Sequence, residues 1–117
     1  MKPQRLQLSR KRGFNISEAS RLRNGLEVVN VARPSIWGNP FVVGQDGTRA
    51  ECVHLLKVLL SGYIALTTKA TTEAQQEYLD NSRKYLKQIK GKNLACWCPA
   101  HAECHADVLL ELANSRG

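Results

Sequence analysis

Three of the four cysteines crowd between Cys96 and Cys104, as Cys96-Trp97-Cys98 and then Cys104, which is followed at once by His105. Thiolate and imidazole are the side chains that ligate soft metals, attack electrophiles and carry protons near neutral pH. Asn93 to Cys98 reads as a strand, whose period of two puts the Cys96 and Cys98 side chains on one face and Trp97 on the other. Pro99 ends it, and a polar loop from Ala100 to Glu103 leads into a helix from about Cys104 to Asn114. That helix is expected to bury Val108, Leu109, Leu112 and Ala113. Cys104 and His105 then fall at a helix start, where unpaired amides and the positive end of the dipole hold anions and lower the pKa of a thiol.

Three chemistries fit this unit. In the first it borders an anion or nucleotide pocket, with His105 as acid or base, Cys98 or Cys104 as nucleophile, and Asp107 orienting a sugar or a histidine. In the second, Cys96, Cys98, Cys104 and His105 hold zinc. The spacing is not that of the usual fingers or ribbons, so no metal is favoured and no other cofactor is predicted. In the third, the cysteines are small apolar residues packed under a turn.

A second candidate site is Trp37-Gly38-Asn39-Pro40-Phe41. Gly38 would let the backbone approach a ligand closely, Asn39 offers a donor and an acceptor to a base or ribose edge, and Trp37 offers a ring to stack on. Arg33 offers a bidentate fork to a phosphate. The same residues equally describe a structural turn whose aromatics fill the core. If they are a site, this turn and the Cys-His helix start should face one cleft at the end of the sheet. Cys52 reads as a core residue, and His54 and His101 as exposed ones.

Charge adds a partner class. Of the formal +7, the first 33 residues carry +6, with eight bases against Glu18 and Glu27. Such asymmetry raises the local concentration of anions, which points to a nucleotide or nucleic acid as partner, with Arg10, Lys11 and Arg12 as nucleic-acid contacts. A solvated face that keeps the protein soluble has the same composition. The alternative function is a non-catalytic protein that binds nucleic acid or a host protein through this face, or a zinc-stabilised binding module. No paired carboxylates, nucleophile elbow or phosphate-loop pattern is present, so a reaction type is not readable.

The elements that must position these residues form a single α/β domain over 1–117, with a basic N-terminal lobe, 1–33, and a strand, loop and helix unit, 93–114. Residues 5–9 and 27–32 are expected as strands, separated by a polar loop with a helical turn from Ser17, and Phe41 to Val43 as a further short strand. Thr48 and Glu51 form a capping-box pattern before a helix to about Ser61, and Thr72 and Gln75 repeat it before a helix to about Ile89. A small sheet covered by about three helices is the economical arrangement. The opening residues hold no apolar leader and no run approaches the roughly 20 residues that span a bilayer. A cytoplasmic protein with reduced thiols and no membrane contact is expected.

Gly91 to Pro99 and Cys104 to Leu110 resemble the paired signatures of domain-of-unknown-function family 4326. So do Arg33-Pro34 with Trp37 to Phe41, and the opening Leu6 to Lys11. The resemblance covers nearly the whole chain and implies a stand-alone accessory protein of bacteria, phages or prophages. The segment from Phe14 to Leu26 is longer than that family's pattern. The strand, loop and Cys-His helix start is also similar to domain-of-unknown-function family 488.

Overall fold

The computed structural model describes residues 2–99 and 101–114, so Ala100, assigned above to the loop before the last helix, lies outside the described residues. Three short strands, β1 (Arg5–Gln7), β2 (Val28–Asn30) and β3 (Asn93–Cys96), make one sheet in the order β1-β3-β2. Both pairings are parallel, with Leu6 opposite Ala95 and Val29 opposite Leu94. The central strand is buried at all four positions, as a parallel strand covered on both faces must be.

The strands are shorter than their patterns. The chain continues alongside the sheet, since Leu8 N–H still donates to the Cys96 carbonyl at 2.8 Å and Val31 N–H to that of Ala95 at 2.9 Å. Phe41 to Val43 forms no strand, and only a bridge between Val43 and Gly47 appears there.

Among the described residues there are four α-helices, α1 (Ile16–Asn24), α2 (Arg49–Leu60), α3 (Thr72–Lys84) and α4 (His105–Asn114), of which α1 and α4 pack against the strands, α2 against α4, and α3 against α2. Helix α1 occupies the segment expected as a polar loop and extends the helical turn expected from Ser17 to nine residues. Asn15 caps it by accepting from Glu18 N–H at 3.1 Å, and Gly25 ends it at φ 79°, a left-handed conformation that glycine adopts without strain. Its buried residues are polar, Ser20 and Asn24. The Asn93 amide of β3 donates to Ser20 Oγ and to Asn24 Oδ1, both at 2.8 Å, while Asn24 donates back to Asn93 Oδ1 at 2.9 Å. A buried network this complete docks a helix without an apolar stripe.

Helix α2 (Arg49–Leu60) begins with the expected capping box: Thr48 accepts from Glu51 N–H at 3.2 Å, and Glu51 accepts from Thr48 N–H at 3.0 Å. Helix α3 (Thr72–Lys84) is capped one residue earlier than expected, by Thr71, which accepts from Ala74 N–H at 3.0 Å. It stops at Lys84, and a 3₁₀ turn, Leu86–Gln88, carries Ile89 into the core. Helix α4 (His105–Asn114) buries Ala106, Leu109 and Ala113, leaving Val108 and Leu112 half-buried.

Side chains alternating along β3 serve two cores. Ala95 joins Leu8 and Ala32 beneath Ile16 of α1, whereas Leu94 and Cys96 join Val31, Trp37, Ile89 and Leu109 on the α4 side. A third cluster, around Phe41, Leu56, Leu59 and Tyr78, lies between α2 and α3. The segment expected as the basic N-terminal lobe supplies, over residues 5–30, two of the three strands of the sheet and one helix packed on it. No described helix is long and apolar enough to cross a membrane.

Candidate functional site

Parallel strands share one carboxyl edge, and the segments leaving β2 and β3 there open a cleft of about 330 Å³, near the lower end of the roughly 300–1,000 Å³ range of small-ligand sites. Its walls carry Cys96, Cys98, Cys104 and His105 from the β3-to-α4 unit. Arg33 and Asn39 from the segment after β2, Arg49 from the start of α2, and Trp97 also line it. Glu103 is the single carboxylate among the lining residues.

Cys96 closes β3, Cys98 follows two residues on, and Cys104 immediately precedes α4, so the loop folds back and brings the three Sγ atoms within 4.8 Å of one another. Cys96 and Cys104 touch at 2.9 Å, and both are buried. This is a donor set able to hold a metal ion. His105 is not among the grouped ligands. Its Nε2 lies 2.7 Å from the Val31 carbonyl, which only accepts, so that nitrogen carries a proton. Nδ1 is left facing Cys104 Sγ at 3.6 Å.

The thiols are not equally acidic. The hydrogen bond with Cys104 holds the Cys96 thiol below its ordinary value, against the opposing effect of burial. The same bond, aided by burial, pushes Cys104 up to about 11. Burial and then Cys104 raise Cys98. Cys104 therefore lacks the acidity expected at a helix start, because its bond to Cys96 and its burial outweigh the lowering by His105 and the Ala106 N–H. Arg49 Nη1 approaches Cys98 Sγ at 3.1 Å and partly offsets its rise.

The turn after β2 is built inward. Arg33 donates through Nε and Nη2 to the Asn39 carbonyl, at 3.0 and 2.7 Å, and through Nη2 to that of Phe41 at 3.0 Å. Asn39 donates to the Cys52 carbonyl at 3.2 Å and accepts from Phe41 N–H at 3.0 Å. A Cβ on Gly38 would lie 2.6 Å from Arg33 Cγ, so its close approach is to Arg33 and not to a ligand. Trp37 is 2% exposed, and its carbonyl accepts from the Tyr78 hydroxyl at 2.9 Å. It fills the core and offers no stacking face, which corrects that assignment. Arg33 and Asn39 reach the cleft wall, whereas Trp37 and Gly38 do not line it.

Asp107 lies outside the cleft too. Its carboxylate pairs with Arg5 Nη1 at 3.2 Å, and Arg5 also donates to the carbonyls of Ala102 at 2.9 Å and Pro99 at 3.2 Å. The pair ties the cysteine loop and the start of α4 to β1, so Asp107 belongs to the scaffold. His54 and His101 are exposed and line no part of this cleft.

Arg10, Lys11 and Arg12 are exposed in the loop leaving β1, on the same edge. Arg10 places its guanidinium 4.8 Å from the ring centroid of Trp97, which is 45% exposed. Trp97, Arg49 and Arg5 are the residues that reading the sequence missed. Arg49 had a signal, because it is the first residue after the Thr48 cap and helix starts at a sheet edge tend to meet a site.

No curated protein and no solved structure matches this chain. A family model described as "Domain of unknown function (DUF4326)" matches residues 14–115. With its cleft-lining thiols, His105, Arg33 and Arg49 all inside that match, the chain belongs to the DUF4326 family.

Proposed function

We propose that the cleft binds a nucleotide, free or as part of a nucleic acid, through its phosphate. The observation that carries this reading is the cleft-lining Arg49 guanidinium beside that of Arg33, two positive charges with no carboxylate within 4.0 Å among the described residues, Arg49 offering the contact because Arg33 Nε and Nη2 already bond carbonyls. They stand at the carboxyl edge of a parallel sheet beside the first turn of α4, three features that each favour a bound anion. Cys104 and His105 are the proton-handling pair of this site, with Nδ1 as the exchanging atom because Nε2 is held by Val31. Any reaction on the bound nucleotide runs through that pair and Cys98. The protein works as a phage or bacterial accessory protein in a reducing cytoplasm, which keeps its four free cysteines as thiols.

Calorimetric titration with nucleoside mono- and diphosphates tests the reading. Binding that weakens with salt and is reduced about tenfold or more by Arg49→Gln is expected, since a charge-assisted contact contributes about 1.5–3 kcal/mol. Absence of binding, or binding indifferent to Arg49, rejects it.

The sulfur geometry favours a second reading, in which zinc stabilises the loop through Cys96, Cys98 and Cys104. His105 is not grouped with the three thiols, but its Nδ1 lies 3.6 Å from Cys104 Sγ and, with Nε2–H given to the Val31 carbonyl, is the nitrogen that would complete the four-residue set. Stoichiometric zinc in the purified protein, lost in Cys98→Ser, supports this reading; metal-free protein of full stability rejects it.

A further inference from the structure

Trp97 is a large ring left 45% exposed beside a cleft, in a protein whose other tryptophan is 2% exposed. With Arg10 already at 4.8 Å from its centroid, that much of its surface remains open. The Leu8 N–H bond to the Cys96 carbonyl pins the start of the basic loop to the strand end that delivers Trp97. The ring and Arg10, which opens the exposed basic stretch to Arg12, therefore lie together at the cleft, which Arg33 and Arg49 line. No carboxylate pairs with Arg10, Lys11 or Arg12 within 4.0 Å among the described residues.

About 330 Å³ accommodates one nucleotide. The exposed ring and the exposed bases of the loop beside it are contacts additional to the two arginines of the cleft. An aromatic face beside unpaired cations is how single strands are held without sequence readout: unpaired bases stack and phosphates meet Arg or Lys. A duplex keeps its bases paired and offers Trp97 nothing to stack on.

We infer that the protein binds single-stranded nucleic acid, with one nucleotide in the cleft, the adjoining base on Trp97 and the following phosphates on Arg10, Lys11 and Arg12. This rests on the nucleotide reading of the cleft and extends it to a polymer and a direction of travel, from the cleft over Trp97 to the β1 loop. Glu103, at the cleft wall, is an acceptor for a base amino group or a ribose hydroxyl rather than a phosphate contact.

The experiment compares a mononucleotide, a short labelled single strand and the matching duplex by fluorescence anisotropy and competition. The single strand should bind tightest. Trp97→Ala should weaken it by about 5- to 150-fold, the range for loss of one stacked base, and Trp97→Phe should restore most of that. Simultaneous Ala replacement of Arg10, Lys11 and Arg12 should flatten the salt dependence of single-strand binding. Emission from buried Trp37 reports that each variant is folded. Mononucleotide binding that depends on Arg49, with no gain for the single strand and no loss in Trp97→Ala, overturns the platform while the cleft reading stands. A duplex that binds as tightly as the single strand also overturns it. If neither mononucleotide nor single strand binds, both readings fall.

Discussion

The turn from Trp37 to Phe41 and the unit from Cys96 to His105 are equally rich in residues that recognise ligands and meet at one cleft, yet the first is bonded inward and the second is partly open. In the turn, Asn39 bonds the backbone of Cys52 and Phe41, Arg33 is fixed on two carbonyls, and Trp37 is sealed in the core. In the cysteine unit, Trp97 and Cys98 remain partly open and the thiols meet one another at a cleft wall. Residue type nominates both regions. What separates them is whether the polar atoms are already satisfied by the protein itself.

The largest test of that contrast is a pair of tryptophan replacements. Trp37→Ala should cost about 3–5 kcal/mol of unfolding free energy in urea titrations, as buried aromatic truncations do. Trp97→Ala should stay within about 0.5 kcal/mol of the parent. Equal losses would erase the contrast. Next in size, Asn39→Ala strands the Phe41 N–H and the Cys52 carbonyl and should cost about 1–3 kcal/mol, measured in the same way.

Tyr78 sharpens the contrast through pH. Burial raises its hydroxyl above the ordinary value, so the folded protein keeps that proton where the unfolded chain loses it. Its contribution is complete below about pH 10 and declines as pH rises further, by about 1.4 kcal/mol per unit, and Tyr78→Phe should remove that slope. Denaturant titrations across alkaline pH, with tyrosinate absorbance followed in parallel, measure both. The smallest effect belongs to the open unit: Cys98→Ser should leave unfolding free energy within about 0.5 kcal/mol, since the residue is only partly buried.

The capping box of α2, the burial of β3 and the convergence of cysteines with Arg33 and Asn39 follow from patterns visible in the chain. Helix α1 did not show itself because pattern reading looks for apolar periodicity, and this helix docks through Ser20 and Asn24 onto Asn93, a partner 69 or more residues away. Thr71 and Thr72 are both good caps; the choice of the earlier one is settled by the register of α3, which buries Gln75, Tyr78, Leu79 and Ser82. Trp97 did not show a role for a related reason. Alternation predicts that Trp97 leaves the Cys96 face but not that this side is open beyond the last paired residue of β3. Arg5 stayed hidden because its partners, Pro99, Ala102 and Asp107, lie at the other end of the sequence.

The position of β3 between two strands that precede it in sequence also imposes an order in time. As the chain is made, β1 and β2 emerge long before the segment that joins them, and neither pairs with the other. The Arg5 to Leu94 and Val29 to Leu94 pairings close only after Asn93 to Cys96 arrives, and contacts this distant along the chain form slowly. The same four residues end in Cys96, so the sheet and the cleft wall come into being in one event. A nascent or truncated chain stopping before β3 has neither, and no half-built form carries the site.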